Sequence, residues 1–213
     1  MIKGAIFDVD GVILDSMPVW RHCGLRYLAE IGVEADLGLG LRLFNLTIDE
    51  GADYLKKEYN LSQSHDEIVR GMMAQVESFY FNEATPKEGA LELLEKFHKA
   101  GVRMSVATST SKYCIDKAFE KLGITDYFDV ILSCTEFGKS KEHPDIFFEA
   151  VSVMKTPIES TWLFEDGLYS MKTAKKEGFR IAGVYDNVSH DDQEEIRAIS
   201  DIYMESLKEF QLI

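Results

Sequence analysis

The chain has 213 residues, 46% of them hydrophobic and 28% charged, with a formal net charge of −14 at pH 7. Those proportions are those of a globular protein rather than a disordered one, and the acidic balance disfavours nucleic acid, whose backbone is bound through clustered Lys and Arg. No apolar run approaches the roughly 18 residues of a membrane helix. The opening MIKGAIFDVD also lacks an apolar h-region and a small-residue cleavage site, so a cytoplasmic protein with no membrane partner is expected. Cys23, Cys114 and Cys134 are odd in number and scattered without metal-ligand spacing, which reads as reduced packing residues. An anionic substrate of so acidic a chain would need a local attractor, such as a metal ion.

The first predicted strand, Lys3–Phe7, runs into FDVDGVILDS, which places Asp8 and Asp10 one residue apart at its exit. A helical stretch follows from about Met17 to Ala84. Trp20, Gly24, Tyr27, Leu28 and Ile31 form one stripe closed by Gly32; Ala52, Leu55 and Tyr59 suggest a second helix; Ile68, Met72, Gln75, Val76 and Phe79 suggest a third, opened by the capping box Ser64-x-x-Glu67. Thr85-Pro86-Lys87-Glu88 then predicts a helix start, with Thr85 as N-cap, Pro86 at the first helical position and Glu88 closing a capping box. Leu91, Leu94 and His98 continue that helix to Gly101. Strands are predicted at Arg103–Ala107, Asp129–Ser133, Thr161–Phe164 and Arg180–Val184, with a weaker one at Asp201–Tyr203; helices fall between them, including Ile115–Leu122 stopped by Gly123 and one from about Ser170 to Gly178. Alternating strands and helices predict an α/β core, a Rossmann-like parallel sheet wound by right-handed crossovers. The expected division is a core of residues 1–15 and 86–213 with an inserted all-helical cap of residues 16–85.

Ligands of open parallel sheets bind beyond the carboxyl ends of the strands. Here those ends carry Asp8-Val9-Asp10-Gly11, then Thr108-Ser109-Thr110-Ser111, then Lys139 and Lys141, then Glu165-Asp166-Gly167. Carboxylates, hydroxyls and a lysine gathered there suit metal-assisted phosphoryl transfer. Magnesium takes hard oxygen ligands and keeps some water, so Asp8 and Asp166 would bind it, Glu165 would support them, and the Asp10 carbonyl would complete the protein's share. A carboxylate such as Asp8 can attack phosphorus and split a slow displacement into two easier ones. A second one, Asp10, can give a proton to the leaving group and take one from water. The Thr108 hydroxyl and a lysine would neutralise the phosphoryl oxygens.

FDVDGVILDS, VATST, KEHPDIFFEA and LFEDGLYSMKTAKKEGF resemble, in order and spacing, the four motifs of the haloacid dehalogenase-like hydrolases. The closest likeness is to the β-phosphoglucomutase and phosphoglycolate phosphatase subfamily with a helical cap, and it covers nearly the whole chain. The resemblance implies a magnesium-dependent phosphatase of small phosphorylated metabolites, with Asp8 as nucleophile, Asp10 as acid and base, Thr108 and Lys141 binding phosphate, and Glu165 with Asp166 as metal carboxylates. Ser109 and Thr110 are candidate secondary phosphate contacts. Dehalogenation is disfavoured because dehalogenase members lack the second aspartate. Three departures stand out. Glu142-His143 separates Lys141 from Pro144-Asp145, leaving Lys139 as a rival; Gly167 stands where a serine commonly follows the acidic pair; and Leu37–Asp49 holds Arg42 without the Gly-x-x-Arg spacing of the mutases. A phosphatase is therefore favoured over a sugar-phosphate mutase, and a non-catalytic binding protein on the same fold is the alternative from another class. The monomer is the default oligomeric state.

Plainer readings apply to single residues. Asp8 and Asp10 alone could be turn residues, Glu165-Asp166 alone could open a helix, and Thr110, Ser111 and Ser16 could be helix caps. His190–Glu195 reads as a solvated helix start.

Overall fold

The computed structural model describes residues 2–43 and 46–212. It divides into two compact units, Met1–Asp15 with Thr85–Ile213, and Ser16–Ala84. Phe44 and Asn45, within the stretch compared above with the mutase motif, lie outside the described residues.

The first unit is built on six parallel strands: β1 (Gly4–Phe7), β2 (Arg103–Thr108), β3 (Val130–Ser133), β4 (Thr161–Glu165), β5 (Arg180–Val184) and β6 (Ile202–Met204). Their order across the sheet is β3-β2-β1-β4-β5-β6. The chain winds outward through β2 and β3, then returns to the other side of β1 for β4, so the switch point lies between β1 and β4. All four residues of β1 and all five of β4 are buried, as expected of central strands covered on both faces. Successive side chains point to opposite faces. Phe7 stacks on Phe164 with ring centroids 4.6 Å apart, and both rings contact Phe97. Ile6 and Leu163 instead join Ile146, Phe147, Met171 and Ile181 in a second apolar cluster. Each buried Phe of this kind contributes about 1.5–3 kcal/mol, and together they fix the register that aligns the exits of β1 and β4.

The second unit is all-helical: α1 (Met17–Glu30), α2 (Leu39–Leu43), α3 (Ile48–Glu58) and α4 (His65–Asn82). Ser64 and Glu67 form the reciprocal capping box the sequence predicts, and Thr47 with Glu50 forms another. Ser16 occupies the N-cap position of α1, but its side chain makes no capping hydrogen bond. Ile68, Met72, Val76 and Tyr80 are the buried stripe of α4. Gly71 lets α4 approach α1 closely, since a β carbon there would overlap the buried Tyr27 ring. Gly71→Ala is therefore expected to destabilise the protein by about 1–2 kcal/mol, because overpacking outweighs the better helix propensity of alanine. A lowered thermal midpoint checks this; an unchanged or raised one refutes it.

In the first unit α5 (Ala90–Lys99), α6 (Lys112–Leu122), α7 (Cys134–Phe137), α8 (Asp145–Met154), α9 (Leu168–Lys176) and α10 (Gln193–Ile199) complete the fold. The helix start expected at Thr85 is corrected: α5 begins at Ala90, with Gly89 before it at φ 83°. Thr85 instead accepts a hydrogen bond from the Asp15 amide at 3.0 Å, Pro86 bridges Leu14, and the Lys87 amide donates to the Ile13 carbonyl at 2.8 Å. This short ladder closes the base of the helical insert within the core, and Glu88 pairs with Lys208 rather than closing a capping box. Ser111 stands at the N-cap of α6 without a side-chain cap bond. The three cysteines are free thiols.

Candidate active site

β1 ends at Phe7 and β4 passes beside it, so the Asp8 amide donates to the Phe164 carbonyl at 2.9 Å. Asp8 thus stands level with Glu165 and Asp166 across the switch point. Carboxylate oxygens of Asp8, Glu165 and Asp166 lie within 4.8 Å of one another, and all three residues are buried. Into this group reaches Lys141, 1% exposed although Lys139, Ser140 and Glu142 around it are exposed. Its Nζ lies 3.0 Å from Asp8 Oδ1 and donates to Glu165 Oε2 at 2.7 Å. Lys139, the rival lysine, instead pairs on the surface with Asp145 at 2.6 Å.

The electrostatics follow from three buried carboxylates sharing one ammonium. Burial, then the charge of Glu165, pushes the Asp8 carboxyl well above the usual range, with Lys141 pulling the other way. Burial followed by Glu165 and Asp8 does the same to Asp166. Glu165 differs: burial raises its pKa, but the charge and hydrogen bond of Lys141, with bonds from Ser170 and Gly167, outweigh burial and leave it below normal. Burial opposes the charge on Lys141, yet Asp8 and Glu165 overcome it and raise its pKa well above normal. Glu165 and Lys141 are therefore a formed ion pair, while Asp8 and Asp166 remain short of positive charge. Three buried carboxylates with a single ammonium among them fit a divalent cation such as magnesium.

The turn after β1 is closed by the Val9 carbonyl, which accepts from the Ile13 and Leu14 amides at 2.9 and 2.8 Å. Gly11 takes φ 79° in this turn, and a β carbon there would stand 2.5 Å from Asp166 Oδ2. Only glycine combines that backbone conformation with contact against the carboxylate. The Asp10 carboxylate is not one of the three clustered groups; Thr110 Oγ1 donates to its Oδ2 at 2.6 Å. Thr108, fully buried at the end of β2, accepts from the Thr110 amide at 3.1 Å. Ser109 is exposed, and its carbonyl accepts from Thr135 Oγ1 at 3.3 Å. Gly167 keeps a backbone contact, its amide donating to Glu165 Oε1 at 3.0 Å.

A family model described as haloacid dehalogenase-like hydrolase matches residues 5–184. The chain belongs to that family. Among curated proteins, this haloacid dehalogenase-like hydrolase is 24% identical to hexitol phosphatase B of Escherichia coli K12 over 180 residues, covering 82% of this chain and 79% of that one. It is 23% identical over 184 residues to a phosphorylated carbohydrates phosphatase of Thermotoga maritima, covering 86% and 85%. In fold it matches a crystal structure from Thermotoga maritima named for beta-phosphoglucomutase, with a TM-score of 0.86, 21% identity and coverage of 97% and 96%.

Two supporting residues were not legible as such in the sequence of this hydrolase. Ser170 is fully buried and its Oγ donates to Glu165 Oε2 at 2.6 Å, although its position offered only a helix start. Thr110 read as a cap or a secondary phosphate contact, whereas its hydroxyl goes to Asp10. The available signal was a hydroxyl after a strand for Thr110 and one in the first turn of a helix for Ser170, and neither by itself says which carboxylate it will meet.

Proposed function

We propose that the chain is a magnesium-dependent phosphatase of small phosphate monoesters, acting through a phospho-Asp8 intermediate. The observation that carries this reading is the buried Asp8–Glu165–Asp166 cluster with the Lys141 ammonium beside Asp8. Phosphatase names among the relatives support the reaction class, and the carbohydrate and hexitol phosphates in those names favour sugar or polyol phosphates as substrates.

Asp8, Asp166 and Glu165 would hold the metal, with the Asp10 carbonyl as a further oxygen. When bound, magnesium neutralises the phosphoryl oxygens and the carboxylates around them. An oxygen of Asp8 attacks phosphorus, the ester P–O bond breaks, and Asp10 gives its proton to the departing alkoxide. Lys141 balances charge at the attacking carboxylate, and Thr108 and Ser109 donate to the transferring group. Water then attacks the phosphoryl group on Asp8 while Asp10 takes its proton; inorganic phosphate leaves and Asp8 is regenerated. A mutase would need a group to hold a second phosphate. Arg42 is instead engaged by Asp36 and by Tyr54, whose hydroxyl accepts from its Nε at 2.7 Å.

Chelation is expected to abolish phosphate release from para-nitrophenyl phosphate, and added magnesium to restore it. A panel of sugar, polyol and short-acid phosphates is expected to give the highest kcat/KM for a carbohydrate phosphate. Undiminished turnover after exhaustive chelation would overturn the metal requirement.

A further inference from the structure

The Lys87 side chain belongs to none of the four strand-exit motifs, yet all three protons of its ammonium are engaged. Nζ donates to the Gly11 carbonyl at 2.6 Å, to the Tyr185 carbonyl at 2.8 Å and to Asp186 Oδ2 at 2.9 Å. An ammonium has three donors, so this is a saturated site, and it is largely enclosed: the Lys87 and Asp186 side chains are 17% and 10% exposed. Gly11 belongs to the turn that carries Asp10. Tyr185 and Asp186 follow β5. The strand between β1 and β5 is β4, and Asp166, which follows it, rests against Gly11. Lys87 thus ties together the two chain segments that flank the exit of Asp166.

We infer that Lys87 is a positioning residue, a latch that fixes the Gly11 turn so that Asp10 and Asp166 keep their places for phosphoryl transfer. The inference rests on the phosphatase reading for its effect on catalysis, though the latch can be tested without it. The backbone of Lys87 is anchored independently through its amide to Ile13, so removing the ammonium frees the Gly11 carbonyl without releasing the base of the insert. A side chain that never touches substrate should change kcat and leave KM nearly alone. Displacement of catalytic groups by about an ångström can cost about 100-fold.

The test compares wild type, Lys87→Met and the double variant Lys87→Met with Asp186→Asn. Lys87→Met is expected to lower kcat on para-nitrophenyl phosphate by about 10- to 100-fold, with KM within about threefold. It is also expected to speed amide hydrogen exchange in residues 11–15 relative to the rest of the core. The double variant, which removes the stranded charge of Asp186, is expected to stay as slow as the single one. Recovery of kcat in the double variant would make Lys87 a neutraliser of Asp186 rather than a latch, and would overturn the inference. Wild-type kcat in Lys87→Met, or unchanged exchange in residues 11–15, would also overturn it. Should Lys87→Met fail to fold, Lys87→Gln carries the same readouts. Failure of the phosphatase reading would show separately, as a wild-type protein inactive on every phosphate ester while the exchange measurement still decides the latch.

Discussion

Asp8→Asn is expected to lose at least about 10⁴-fold in kcat, the scale on which removal of a covalent nucleophile is felt, while the metal-free variant melts at or above the wild-type temperature. The two outcomes have one cause. Asp8 is buried beside Glu165, and its folded pKa is raised well above the ordinary carboxylate value. A group with a raised folded pKa binds more protons folded than unfolded, so its ionisation opposes folding as pH rises past the unfolded value of about 3.9. At pH 7 the amide removes that burden while matching the carboxylate in shape. Lys141 keeps Glu165 as a partner at 2.7 Å, so the exchange does not strand the ammonium. Phosphate release and a metal-free thermal melt, measured on the same preparation, decide the matter. Substantial turnover would remove Asp8 from the chemistry, and a large drop in midpoint would mean that the acidic cluster stabilises the fold.

The opposite substitution in charge, Lys141→Met, is expected to destabilise the protein by about 3–5 kcal/mol at neutral pH, as when one member of a buried ion pair is removed. It should also lower kcat by about 10²–10³-fold through loss of electrostatic stabilisation at the reacting group. The stability loss carries a pH signature. Glu165 has a lowered folded pKa, to which Lys141 contributes both charge and hydrogen bond. A lowered pKa contributes stability that is present above the unfolded value, about 4.3, and lost as pH falls through the folded value. Lys141 itself has a raised pKa, and its share persists until pH exceeds about 10.4. The difference between wild type and variant should therefore be flat from pH 6 to 9 and shrink as pH approaches 4. Denaturant midpoints across that range check it. A difference that grows toward pH 4 would contradict the assignment of Glu165 and Lys141 as an ion pair.

Much of this molecule could be read from its residues because central parallel strands leave a plain record. GAIF and TWLFE are fully buried runs, and in such a sheet the polar residues that follow each run converge at one edge. The family model bears out the resemblance the motifs suggested. Lys141 is the harder case: a lysine among exposed neighbours gives no local sign of burial, and only the motif order singled it out. Thr85–Glu88 shows how local patterns mislead. Its residues suit a capping box, but pairing with Ile13–Asp15 and the turn at Gly89 override that preference, an example of tertiary context prevailing over propensity. The role of the Lys87 ammonium could not be read, since its three partners lie 76, 98 and 99 residues away in sequence.

The ladder between Ile13–Asp15 and Thr85–Lys87 has an evolutionary consequence. The chain leaves the sheet-bearing unit and re-enters it through one doorway, where the Asp15 amide meets the Thr85 carbonyl at 3.0 Å. Whatever lies between those residues costs the core little more than the entropy of closing one loop, which grows only slowly with length. Residues 16–84 thus form a closed excursion from a unit whose sheet register and acidic cluster are built from residues outside them. Such a layout lets a lineage vary the insert while it keeps the sheet and the acidic cluster.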